Sequence, residues 1–402
     1  MAQRRFGPFS LDIHPKCATL TLMKKITSIL KKDPMLAVAI AAALISLFIT
    51  KPTAALFTSI DWHTLGTLFM MLTVLEGFKR ENIFKPLIQL GSRFKTIAAL
   101  TFFLVFGVFF TSMFVTNDVS LIIFVPLTIM LFRGSGHEAY ILPVLTFENI
   151  AAIRGSLLMP FGSPQNLFLY AQSGTSAANF ILHMSPLCIM SAALLSVFIL
   201  VLYRRNLCEP VNMSPELAGV WKEEGRVRRI TYICLFLMIL FTIVSRTQYW
   251  PVALVIVIAA VLLTGPALFT QVDYALLGTF LCFFIFSSQI AANEAISDFL
   301  SKAVAGNEYW WVIGLSQIIS NVPASIVLYP FTENFAGLIY GADTAGLCSL
   351  IGSLASVINF RIYVREYPGG GGRFVKVFTL ISWAFFIIVV IPGFLLSSWS
   401  FF

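Results

Sequence analysis

Two asparagines set into apolar sequence carry the first chemical signal in this chain. Thr116-Asn117-Asp118 interrupts an apolar run at 96–132, and Ser320-Asn321-Val322-Pro323 interrupts another at 309–335. A broken helix leaves N–H and C=O groups without partners, and these can hold an anion or a small cation. Two polar runs follow the asparagines. They are Met159-Pro160-Phe161-Gly162-Ser163-Pro164-Gln165-Asn166 and Ile351-Gly352-Ser353-Leu354-Ala355-Ser356. Proline removes a donor and glycine loosens a helix, so the first run cannot be continuous helix. Three ionisable residues stand near these breaks: Asp118, Glu148 and Arg154. Asp118 reads as functional, with a capping Asp at a wet tip as the plainer alternative, because a charge at bilayer centre costs about 2.5–3.5 kcal/mol on insertion scales. Glu148 and Arg154 read either as an ion pair that fixes the segment, or as a proton carrier and an anion partner. The planar guanidinium fork suits the second role.

The composition says what positions these residues. Of 402 residues, 58% are hydrophobic and 11% charged, and the mean hydropathy is +0.87. Soluble domains carry roughly 25% charged residues, so a soluble enzyme and a disordered chain are both excluded. The net charge of +8 then reflects loops beside anionic lipid rather than a nucleic-acid partner. Six scattered cysteines with no CxxC pair give neither a disulfide framework nor a metal site. The fold class is an all-α polytopic membrane protein, multi-pass in the cell membrane. Apolar spans are expected near 35–50, 64–78, 180–203, 230–244, 251–269, 274–292 and 374–396.

Basic residues orient these spans. With the N-terminus cytoplasmic, each broken apolar pair a hairpin and each polar segment a single crossing, 23 of the 27 Lys and Arg face the cytoplasm and only Lys51, Arg246 and Lys302 face outside. The expected organisation is a basic cytoplasmic segment (1–32), a first membrane repeat (33–203), a cytoplasmic linker (204–229) and a second membrane repeat (230–402). Ile60-Asp61-Trp62 followed by Leu65-Gly66-Thr67 matches Val272-Asp273-Tyr274 followed by Leu277-Gly278-Thr279 at equal spacing. Each half continues with a hairpin broken at an asparagine, a broken polar segment and a closing apolar helix. The orientation puts Asp61 outside and Asp273 inside, so the halves are inverted-topology repeats. Gly369–Gly372 reads as a flexible tether rather than a phosphate loop.

The motifs resemble those of the ion-transporter superfamily, which includes arsenite permeases, sodium/proton antiporters and citrate or dicarboxylate carriers. Phe114-Val115-Thr116-Asn117-Asp118-Val119-Ser120 is similar to the first hairpin motif of the arsenite-permease branch, and Pro160–Asn166 to the broken-helix motif that follows it. Ser320-Asn321-Val322-Pro323-Ala324 and Gly352-Ser353-Leu354-Ala355-Ser356 resemble their second-half partners. Dicarboxylate carriers present Ser-Asn-Thr at both tips; here Asp118 and Val322 take the third places. An anionic Asp118 repels an anionic substrate unless it is protonated or cation-bound. That leaves room for a proton-coupled or arsenite-like carrier.

The resulting expectation is a secondary transporter, not an enzyme, moving a small anion or oxyanion (arsenite-type or carboxylate) coupled to protons or sodium; the alternative is a sodium/proton antiporter. Substrate or ion binding is assigned to Thr116, Asn117, Asp118, Pro160, Gly162, Asn166, Ser320, Asn321, Gly352 and Ser353, with sodium at Asn117 and Asn321 as the metal the pattern allows. Asp118, Glu148 and Arg154 are the coupling or charge-pair candidates. No cofactor is expected; the partners are the substrate, the bilayer and, by family analogy, a second copy in a homodimer. His14, His63, His137 and His183 show no ligand spacing and read as loop or interface residues. Asp61 and Asp273 read as helix caps.

Overall fold

The computed structural model describes residues 34–53, 55–83, 94–211, 225–245 and 248–398. The expected basic segment 1–32 and residues 212–224 of the linker lie outside the described residues. Seventeen α-helices and no strand make up the described chain. Lipid offers no partner to a peptide group, so a chain this apolar satisfies its backbone within helices.

The first half contains α1 (Pro34–Ile49), α2 (Ala55–Ser59), α3 (Trp62–Arg80), α4 (Ile97–Val115), α5 (Asn117–Gly134), α6 (Ile141–Ser156), α7 (Pro164–Ser173) and α8 (Ala177–Leu202). The second contains α9 (Arg226–Ser245), α10 (Trp250–Thr264), α11 (Tyr274–Ala291), α12 (Glu294–Val304), α13 (Glu308–Ile319), α14 (Asn321–Leu328), α15 (Phe335–Ala345), α16 (Leu354–Glu366) and α17 (Gly371–Ser397). Six of them, α4, α5, α8, α9, α11 and α17, are long and apolar enough to cross a membrane.

The halves repeat in backbone detail. Asp61 (φ −77°, ψ 81°) caps α3 by accepting from the Thr64 N–H, and Asp273 (φ −75°, ψ 82°) caps α11 by accepting from the Leu276 N–H. Both therefore act as the N-caps read from the sequence. The capped helices run in opposite directions. Ser59, just before α3, meets Ser288 near the end of α11 (Oγ to Oγ, 2.6 Å), while Phe69 within α3 lies 6.5 Å, centroid to centroid, from Tyr274 at the start of α11. Equivalent helices running antiparallel are the signature of inverted repeats.

Packing exchanges elements between the halves. α1 lies on α11, and α9 lies on α3. The second arm of each hairpin meets the other half's broken segment: α5 packs on α16, and α14 on α7. The closing helices α8 and α17 pack against α6 and α15 respectively, and against each other.

The glycine run 369–372 is a tight turn rather than a tether. Gly369 takes φ +86°, the Gly370 N–H donates to the Tyr367 carbonyl at 3.0 Å, and α17 already begins at Gly371. Only a residue without Cβ takes that φ at little cost, so the glycine sharpens the reversal instead of loosening it.

Candidate binding site at the broken helices

The two hairpin tips share an unusual backbone. Thr116, between α4 and α5, has φ 73° and ψ 154°; Ser320, between α13 and α14, has φ 70° and ψ 160°. This region is almost reserved for glycine, and each non-glycine occupant costs about 1–3 kcal/mol. The same strain at matching places in two halves marks a conformation that the surrounding packing imposes. Neither Thr116 nor Ser320 caps the following helix with its side chain. The positive ends of α5 and α14 are met instead by other acceptors at one N–H each, Asn117 Oδ1 for the Asp118 N–H and the Gly352 carbonyl for the Asn321 N–H. Relieving the strain should be measurable: Thr116→Gly and Ser320→Gly are each expected to raise stability by about 1 kcal/mol net after glycine's extra unfolded-state entropy, read as a higher thermal unfolding midpoint. A fall in the midpoint for both would show that the hydroxyls matter more than the backbone.

Asn117 and Asn321 are both buried. The Asn117 Oδ1 accepts from the Asp118 N–H at 2.9 Å. Asn321 is tied to its own broken segment: its N–H donates to the Gly352 carbonyl at 3.3 Å and its Nδ2 to the Ala342 carbonyl at 3.2 Å. No hydrogen bond joins the two asparagines among the described residues. The second tip is instead tied to the broken segment of its own half.

Those breaks are tight. α6 ends at Ser156, the chain turns through buried Pro160 and Phe161, and Ser163 caps α7 by accepting from the Asn166 N–H at 3.4 Å. The Asn166 Nδ2 reaches back to the Ser156 carbonyl at 3.2 Å, closing the gap. A Cβ on Gly162 would lie 2.3 Å from the Ser156 carbonyl oxygen, and one on Gly352 would lie 2.4 Å from that of Ala345. In both halves a glycine thus lets the turn fold onto the last carbonyl of the preceding half-helix. Ser353 precedes α16 without a side-chain cap bond, so that helix start is also open.

The charged residues do not pair as the sequence suggested. Glu148 is fully buried and its Oε1 accepts from the Thr128 hydroxyl, while Oε2 has no partner. Arg154 is equally buried; its Nε donates to Ser191 Oγ at 3.0 Å, and neither terminal nitrogen has a partner. Six residues on a helix turn the two side chains to different faces, so the Glu148–Arg154 ion pair does not form. The acid within electrostatic range of Arg154 is Asp343. It is fully buried and accepts from Gln165 Nε2 at 3.0 Å. Sequence reasoning missed Asp343, although its place was legible: Arg154 stands two residues before the end of α6, and Asp343 two before the end of α15.

Asp118 is half-buried at the first tip. Its Oδ1 is shielded and without a partner, and its charged neighbours are Asp273 and Lys79. His183, read from sequence as a loop or interface residue, is buried in α8 instead. Its Nδ1 lies 3.1 Å from the Tyr340 hydroxyl, which in turn donates to the His183 carbonyl; α15 supplies the polar partner that makes burial tolerable.

A cavity of about 330 Å³ opens beside these elements, lined by Asp61, Gln172, Phe284, Ser288 and Tyr329 among others. Gln172 spans its rim: it donates to Asp61 Oδ2 at 2.8 Å and accepts from the Tyr329 hydroxyl at 3.0 Å. Three elements, α3, α7 and the end of the second hairpin, are so connected on the Asp61 side. Among the described residues no three His, Cys, Asp or Glu side chains converge as a metal-binding group.

A family profile described as "Citrate transporter" (CitMHS) matches residues 19–352. The chain is 34% identical over 310 residues to the inner membrane protein YbiR of Escherichia coli, covering 76% of this chain and 80% of that protein. It is 29% identical over 309 residues to the uncharacterized transporter MJ0456 of Methanocaldococcus jannaschii, covering 76% and 82%. A 46 kDa membrane protein of Mycobacterium leprae is 21% identical over 346 residues. The chain is thus a multi-pass membrane transporter and belongs to the citrate transporter family.

Proposed function

We propose that this protein is a secondary active transporter that carries a small carboxylate, or an oxyanion of the arsenite type, in exchange for the free energy of a proton or sodium gradient. The observation that carries the reading is the pair of hairpin tips, each in strained backbone without a side-chain cap from Thr116 or Ser320, and each with its second arm packed on the other half's broken helix. An anion is attracted by the open N–H groups there, and a small cation by the carbonyls at the opposing ends. The binding groups are Thr116, Asn117, Asp118, Asn166, Ser320, Asn321 and Ser353, with Pro160, Gly162 and Gly352 shaping the breaks. The halves 33–203 and 230–402 act as two membrane repeats joined by a cytoplasmic linker, 204–229. The N-terminus is cytoplasmic, as the basic residues favour, and the outer helices pair two copies in a homodimer.

Uptake of labelled citrate by proteoliposomes under an imposed pH or sodium gradient tests this reading, with counterflow by unlabelled citrate. Accumulation and exchange are expected. Unitary currents without counterflow would identify a channel instead. Asp118→Asn should change the pH or sodium dependence of uptake, because it removes the one exchangeable charge at the first tip; an unaltered coupling profile would exclude Asp118 from coupling.

A second reading, sodium/proton antiport, draws on Glu148. It is buried with Thr128 as its hydrogen-bond partner and is in no ion pair among the described residues. Collapse of a pH gradient on adding sodium alone, without any carboxylate, distinguishes it.

A further inference from the structure

We propose that Arg154 and Asp343 form the seat of the coupling cation, a proton or Na⁺, and that the arginine is a built-in counter-charge which the arriving cation displaces. This rests on the transport reading and gives its driving ion a seat apart from Asp118, whose contribution at the first tip is tested separately. The two residues hold matching positions, each two residues before the end of its half-helix, but with opposite charge. Both are fully buried, one from each half of the chain. They lie in electrostatic range, yet form no ion pair among the described residues. The terminal nitrogens of Arg154, the Asp343 Oδ2 and the Asn166 Oδ1 have no partner within hydrogen-bond geometry, while the Asn166 side chain stands beside the carboxylate as a further polar neighbour. A buried ion pair is favourable only when its remaining donors and acceptors are satisfied. This one is held open instead: Ser191 fixes the guanidinium through Nε, and Gln165 fixes the carboxylate through Oδ1.

The groups facing Asp343 leave it as the exchangeable site. α6 presents Arg154, and α7 presents Gln165 and Asn166. α8 presents Cys188, and its His183 is bonded to Tyr340 of the acid's own helix. From α13 comes Tyr309, whose hydroxyl donates to the Val390 carbonyl at 2.8 Å; Glu308 of that helix is engaged by the Gly306 N–H, Thr332 and Asn334. α14 has no titratable side chain, and those of α17, Arg373 and Lys376, are confined to its first two turns. Arginine keeps its proton in proteins, so one charge of the pair is fixed and the other can be cancelled. When empty, the pair is neutral. A cation on Asp343 neutralises the carboxylate and uncovers the charge of Arg154 at the edge of the break, where it strengthens anion binding at the tips. By linkage the anion then tightens cation binding by the same factor, typically 5–150-fold in coupled systems.

Purified full-length protein in detergent provides the test, read as the unfolding midpoint. One arm titrates sodium chloride against choline chloride at fixed pH; the other moves from alkaline to mildly acidic pH without sodium. The wild-type midpoint is expected to rise in at least one arm, which identifies the ion. Asp343→Asn should lose that rise. Arg154→Gln should keep it and shift its midpoint to about tenfold lower cation concentration, because the competing charge is gone. A purely structural pair lowers stability in both variants and leaves the cation response where it was; that result overturns the proposal, as does a wild type unresponsive in both arms. If Asp343→Asn does not fold, the Arg154→Gln titration decides alone. Citrate counterflow by the wild type is scored separately, so failure of the transport reading is not mistaken for failure of this one.

Discussion

Asn321→Ala is expected to reduce the initial rate of substrate uptake in proteoliposomes at least 100-fold, and Asn117→Ala to do the same. The side chain of Asn321 does two things at once. Its amide binds the Ala342 carbonyl, and it is placed at the first position of α14, on a tip held in strained backbone. Alanine there leaves the Ala342 carbonyl buried without its donor, which costs about 1–3 kcal/mol, and removes a polar group from the anion's surroundings. The first effect alone moves the unfolding midpoint; the second alone moves transport. Asn321→Asp keeps an oxygen at the tip but loses the amide donor and adds a charge that repels an anion, so it should move both readouts. Both variants should remain monodisperse in detergent. Transport at wild-type rates by Asn117→Ala and Asn321→Ala together would remove the tips from the site.

The largest loss of stability is expected at the breaks. Gly352→Ala would set a methyl group 2.4 Å from the Ala345 carbonyl oxygen, and Gly162→Ala one 2.3 Å from that of Ser156. Real Cβ atoms do not approach backbone oxygen so closely, and neither carbonyl is free to move. Ser156 O also binds the Asn166 amide, and Ala345 O accepts from Gln317 at 3.2 Å. The turn must therefore open, which disturbs the half-helix start behind it. Each substitution should cost at least about 3 kcal/mol, within the range that follows overpacking and strain, and should sharply reduce the folded protein recovered from membranes. Gly314→Ala is the control. A Cβ there meets nothing within 4 Å, and in the interior of α13 alanine should be neutral or stabilise by up to about 1 kcal/mol. Fluorescence size-exclusion profiles and unfolding midpoints of the three variants give the comparison. Equal recovery for all three would mean the breaks are looser than described.

The breaks and the spans were legible in the sequence for a simple reason: both are local. Twenty apolar residues in a row, or Pro, Gly and Asn inside such a run, constrain the backbone whatever packs around them. The same holds for Asp61 and Asp273, whose capping depends on the three residues that follow. What was hidden depends on the other half of the chain. Arg154 was matched with Glu148 because they are neighbours in sequence, whereas its electrostatic partner, Asp343, comes from the second half. His183 is buried where Tyr340, from the second half, meets it. The turn at Gly369 shows the converse error, in which a glycine-rich composition was read as freedom although φ +86° is a demand on geometry. No local signal announced the strain at Thr116 and Ser320 either, since neither residue type favours positive φ.

The central claim is that two oppositely facing halves enclose one site. It is tested most directly by the sidedness of Ser59 and Gln271, which are exposed and stand at equal distances before the capping residues Asp61 and Asp273. In a chain with Cys17, Cys208 and Cys234 replaced by serine, Ser59→Cys and Gln271→Cys would each be labelled in oriented membranes with an impermeant thiol reagent. Inversion predicts that position 59 reacts from outside only and position 271 from inside only. Labelling of both from the same face would contradict it.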